Sequence, residues 1–90
     1  MKLNDSQAVI LGGYGALSKS TLIVNLTDFG MTSGAKMNHE RYAFACVTFH
    51  SPSHEGRPVI VVAGSNTGNG KTAEIWDYSI ENSRWEFRKL

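Results

Sequence analysis

Apolar positions along this chain fall in short runs and do not recur at helical spacing. The runs cover residues 8–11, 21–26, 42–49, 59–63, 73–78 and 84–87. They are rich in β-branched and aromatic residues, and Gly, Ser, Asn or Pro fill the gaps. That pattern predicts strands joined by turns, and the glycine-rich gaps work against helices. The runs at 8–11 and 59–63 are apolar on both faces, which predicts strands covered on both sides. The last run differs. Trp85 and Phe87 would point one way, and Arg84, Glu86 and Arg88 the other, as in an outer strand with one wet face.

The runs repeat. "VILGGYG" at 9–15 resembles "VVAGSNTG" at 61–68, and setting Gly13 against Gly64 gives an offset of 51. A second strand follows each glycine segment, first Thr21-Leu22-Ile23-Val24 and then Thr72-Ala73-Glu74-Ile75. Met37 and Leu90 stand at nearly the same offset, 53. A period near 50 with about four short strands per unit is a propeller-blade pattern.

The order of these residues resembles the kelch family. "MNHERYAFACVTF" supplies Met37, Arg41 and a first strand, and "PVIVVAGS" supplies a second strand with Gly64 in the region of the glycine doublet. "AEIWDYS" places Trp76-Asp77 at the family's aromatic-Asp position, and "NSRWEF" supplies the late Trp as Trp85. Gly12-Gly13 is an intact doublet in the earlier unit. The resemblance implies an all-β chain, a partial β-propeller of about two four-stranded antiparallel blades of kelch type. Residues 1–40 would hold the last three strands of one blade and 41–90 a second. Glycines late in the second strand permit a close approach that a side chain would block. A Trp such as Trp85 can cover the gap they leave. Asp77 and Asn82 bracket the turn between the third and fourth strands. The chain departs from the family at several points. Ala63 and Ser65 flank Gly64, the earlier unit has Thr32 near the Trp position, and "FGMTSGAKMN" is a poor outer strand. Trp76-Asp77 is also the WD40 dipeptide, but its companion Gly-His is missing.

Composition narrows the function classes. The chain has 90 residues, 41% hydrophobic and 19% charged, with a formal net charge of +1. That suits one small globular domain or a piece of a larger one. It gives no case for a nucleic-acid partner or an anionic membrane surface. No run approaches the roughly 18 apolar residues of a spanning helix. The start, "MKLNDSQAVILGG", lacks a secretory pattern, which, if Met1 is the true start, favours a cytoplasmic location without fixing it. Cys46 is the single cysteine, which rules out an internal disulfide, and its apolar neighbours predict a buried, inert thiol. Fewer than about three repeats rarely bury enough surface, so further blades or copies of the chain itself are expected to complete a ring.

The candidate chemistry is sparse. Gly70-Lys71-Thr72 imitates the end of a phosphate-binding P-loop, but Ser65 stands where the first glycine is required. The segment that follows holds Ile75, Trp76 and Tyr78, which predicts a strand where the motif needs a helix. His50, His54 and Glu55 have a spacing that could hold a metal, yet no third well-placed ligand is evident. Together with His39 they read as turn histidines. Galactose-oxidase-like enzymes use a kelch-type propeller with a cysteine joined to a tyrosine, and none of those positions transfers here. No catalytic residue, cofactor or metal is expected.

The function read from the resemblance is therefore a protein–protein interaction module, recruiting a substrate or binding the cytoskeleton. The contact loops would be 14–20, 50–57 and 65–71, with Tyr14, His50, His54, Arg57, Asn66, Asn69 and Lys71 as contact residues. The alternative is a fragment of a kelch-propeller enzyme, galactose-oxidase-like or sugar-modifying. A self-assembling propeller lectin and a P-loop nucleotide binder stand below that.

Overall fold

The computed structural model describes residues 1–13, 19–41, 44–65 and 71–89. The strands are β1 Lys2–Asn4, β2 Gln7–Leu11, β3 Thr21–Asn25, β4 Met31–Ser33, β5 Ala45–Ser51, β6 Arg57–Ala63, β7 Thr72–Trp76 and β8 Glu86–Lys89. They form two four-stranded antiparallel sheets, β1-β2-β3-β4 and β5-β6-β7-β8. Each apolar run falls on or beside a strand, and no α-helix occurs among the described residues. Residues 73–76 therefore lie in β7, and no helix opens after Lys71.

The first sheet has one strand more than the three expected of it. Lys2–Asn4 is short and polar, so it carries no hydrophobic signal. Main-chain bonds hold it in place: Val9 N donates to Met1 O at 2.8 Å, and the N-terminal ammonium donates to Val9 O at 2.8 Å.

The ladders set the period of the repeat. Gly12 N donates to Ser20 O at 2.9 Å, and Gly64 N donates to Thr72 O at 3.0 Å. Both glycines have positive φ, 72° and 81°. Leu11 opposes Thr21 as Ala63 opposes Ala73. Gly12, and not Gly13, is thus the counterpart of Gly64, and the offset is 52 in place of the expected 51. Gly12 is also hemmed in, because a Cβ there would lie 2.7 Å from Arg41 O and 2.9 Å from Phe44 Cε1.

That single residue decides which faces correspond, because side chains alternate along a strand. In the first sheet Val9, Leu11, Thr21 and Ile23 share one face, while Ala8, Ile10, Leu22 and Val24 share the other. In the second, Ile60, Val62, Glu74 and Trp76 share one face, while Val59, Val61, Ala63, Ala73 and Ile75 share the other. The core joins Val9, Leu11 and Ile23 to Ile60, Val62, Trp76 and Trp85, with Met37 from the link between the sheets. At an offset of 52, Val9 corresponds to Val61, which points away from the core. The two sheets therefore meet through opposite faces, head to tail.

Two indoles seal this joint. The rings of Trp76 and Trp85 lie 5.5 Å apart, and Trp85 Nε1 donates to Ala35 O at 2.9 Å. Trp76 rests on Gly34, where an added Cβ would collide with its Cη2. On the ladder, the first-sheet counterpart of Trp85 is Met31, one position from the Thr32 expected.

Two expectations fail, each for its own reason. Ile10 is 52% exposed, because no described residue of the second sheet packs on its side of the first. Cys46 is exposed and not buried, because β5 is an edge strand.

Candidate functional site

Two polar clusters are built on the second sheet. The first is sealed between the sheets. Glu74 lies between Ala73 and Ile75 on β7 and shares the core face with Trp76, so its carboxylate is driven inward. Arg41, in the link before β5, reaches it. Its Nε and Nη2 donate to Glu74 Oε2 at 3.1 and 3.0 Å, and its Nη1 donates to Gly64 O and Thr72 O at 3.0 and 3.2 Å. Asn38 N and Nδ2 donate to Glu74 Oε1 at 2.5 and 2.9 Å, and His39 N donates to Oε2 at 3.2 Å. Both charged side chains are 0% exposed. A buried pair with this degree of satisfaction locks geometry, and no solvent-borne ligand reaches it.

The second cluster lies at the end of the sheet where β5 turns into β6. Pro52–His54 forms one 3-10 turn, ended by Glu55 at φ 59°. Ser51 Oγ and His54 Nδ1 are 2.9 Å apart, and His54 Nε2 and Glu86 Oε2 are 2.7 Å apart. Arg57 Nε donates to Asp77 Oδ2 and its Nη1 to Glu55 Oε2, both at 2.9 Å. The bond to Asp77 holds the Arg57 guanidinium above its ordinary value; burial opposes this, and Glu55 adds to it. Ser79 Oγ donates to Asp77 Oδ1 at 3.1 Å, and Ser83 Oγ to Asp77 O at 2.6 Å. His54, Arg57, Asp77, Ser83 and Glu86, together with Ile80 and Arg84, line an open depression of about 400 Å³.

The Ser51–His54–Glu86 chain has the residue types of a hydrolytic triad, but its serine is buried. Its hydroxyl braces the turn and does not meet substrate. What the cluster offers outward is charge and hydrogen-bonding capacity on Arg57, His54 and Glu86. Among the described residues, no group of three His, Cys, Asp or Glu could hold a metal.

The contact residues expected from the sequence do not gather in one place. His54 and Arg57 share the β5–β6 end of the sheet, and His50 is exposed near the end of β5. Lys71 is exposed just before β7, at the opposite end. Tyr14, Asn66 and Asn69 lie outside the described residues. Of the residues given kelch positions, Met37, Arg41, Trp76, Asp77 and Trp85 are buried, and Gly12, Gly13 and Gly64 have positive φ. Glu74, the partner of Arg41, was missed. Its signal was there to read, since a charge two residues from Trp76 on a strand shares that residue's core face and requires a partner.

No family model, no curated protein and no solved structure matches the chain.

Proposed function

We propose that the chain forms two adjoining kelch-type blades of a β-propeller and serves as a protein–protein interaction module. The observation that carries this reading is the head-to-tail stacking of two equivalent four-stranded sheets at an offset of 52. Successive propeller blades stack face to face in this way, presenting their turns at the two ends of the stack. Arg41, Gly64, Trp76 and Trp85, the residues that carry the kelch resemblance, support this reading because they help close the joint: Arg41 donates to Gly64 O, and both indoles lie in the core. The polar cluster of His54, Arg57 and Glu86 is the contact surface at one end, and Lys71 marks the other.

Site-specific photo-crosslinking tests the reading. A crosslinker at His50 or Lys71 is expected to capture one discrete protein, displaced by unlabelled chain. The same group at Lys89, on the edge strand β8, is expected to capture none. Equal capture from all three positions, or capture from none, overturns the module reading.

A further inference from the structure

Each sheet keeps one largely apolar face that, among the described residues, the other sheet does not cover. On the first sheet it carries Ala8, Ile10, Leu22, Val24 and Met31. On the second it carries Val47, Phe49, Val61, Ala63 and Ile75, beside the buried Val59 and Ala73 and with Glu86 and Arg88 from β8. Ile10, Met31, Val47 and Phe49 are 52%, 65%, 53% and 45% exposed. Contiguous apolar surface of this kind marks an interaction site.

These two faces are the counterparts of the pair that already meets inside the chain. The covered face of the first sheet corresponds to the open face of the second, since Val9 and Ile23 stand where Val61 and Ile75 do. The covered face of the second corresponds to the open face of the first, since Val62, Trp76 and Trp85 stand where Ile10, Val24 and Met31 do. We infer that the open face of the second sheet docks on the open face of the first sheet in another copy of this chain, head to tail. This rests on the paired-blade reading above, not on its interaction role.

Side-chain volumes choose the occupant. Inside the chain Trp76 fits because Gly34 lies beneath it. Gly34 N bonds Thr21 O as the ladder continues, so its counterpart opposite Ala73 is Arg88. A large side chain on the open face replaces the glycine, and on the matching open face Val24 replaces the indole. Large meets small in both joints, with the roles exchanged. Leu22 stands where Glu74 does, so the second joint needs no buried ion pair. His54, Arg57, Asp77 and Glu86 give the docking face a polar rim at one end, the usual arrangement around an apolar interface centre.

Such contacts are heterologous and close into a ring when the rotation permits. Propellers of about four to eight blades correspond to about two to four copies of a two-sheet chain. Sedimentation equilibrium on the chain is expected to give one closed oligomer of definite size within that range. Ile10→Lys blocks one face and Val47→Lys the other, so each variant alone is expected to be a folded monomer by circular dichroism. Mixed, they retain one good joint and are expected to form a 1:1 complex. Three results overturn the inference: a wild-type monomer at about 100 times the concentration of a micromolar dissociation constant, an open-ended polymer, or self-association of either variant alone. The last would mean like faces meeting. A wild-type monomer that keeps both sheets, seen by amide exchange, removes the self-docking and leaves the paired-blade reading intact; loss of the second sheet's protection removes both.

Discussion

The Arg41–Glu74 pair allows a prediction worked from geometry. Truncating one member of a buried pair costs about 3–5 kcal/mol, because the other charge stays behind. The two single changes are not equal. Arg41→Met leaves the carboxylate three donors, Asn38 N, Asn38 Nδ2 and His39 N. Glu74→Leu leaves a fully buried guanidinium with only the carbonyls of Gly64 and Thr72. Arg41→Met is therefore expected near 3 kcal/mol and Glu74→Leu near 5, both about the measured range for such pairs. The double variant holds no buried charge. It still strands a carbonyl and two amides at about 1 kcal/mol each, so its expected cost is about 3 kcal/mol. The coupling energy is then about 5 kcal/mol, against additivity within about 0.5 for independent sites. Total stability of a chain this size is roughly 5–13 kcal/mol at 0.05–0.15 per residue, so Glu74→Leu removes a large share of it. Urea unfolding followed by the fluorescence of Trp76 and Trp85 reads these differences. Working in the Ile10→Lys background keeps assembly from contributing to apparent stability. A double variant as costly as the sum of the singles, or a Glu74→Leu cost below about 1 kcal/mol, would refute the reasoning.

Gly34→Ala is expected to cost about 1–3 kcal/mol, because its Cβ collides with Trp76, and to cost much less in a Trp76→Leu background. The same urea assay reads both. Gly64→Val places a β-branched residue at φ 81° and is expected to cost about 2 kcal/mol or more, whereas exposed Lys71→Ala should stay within about 0.5.

How much of this was legible in the sequence differs by element. The strands with β-branched apolar runs were legible, because side-chain type and alternation mark them. β1 was not, since Lys2–Asn4 is fixed by main-chain bonds that leave no mark on side-chain type. The offset is 52 and not the 51 that the letters suggest. Matching letters pairs Gly13 with Gly64, but the ladder pairs Gly12 with Gly64, and the two glycines share backbone conformation rather than sequence context. That small slip has a large consequence. At 51, Val9 would correspond to Ile60, and the two sheets would meet through like faces with no complementary pair left open. At 52 they meet through unlike faces, and the stack can continue at either side.

The inner joint also carries features that keep the two interfaces from exchanging partners. The open face of a second copy could in principle approach the face that Trp76 occupies. It would have to put Arg88 where Gly34 sits, under the indole, where even a methyl group collides. It would also meet Glu74, whose oxygens are already taken by Arg41, Asn38 and His39 from the link between the sheets. Those three donors lie at most 36 residues away in the same chain, so they arrive at high effective concentration and a second copy cannot compete for the site. The intrachain joint is thus locked by charge and shape, while the outward faces, with Leu22 and Val24 in place of Glu74 and Trp76, hold no buried ion pair and keep their charges, Glu86 and Arg88, on the exposed strand β8. A chain with one locked joint and one permissive joint has its internal order fixed before it meets anything else.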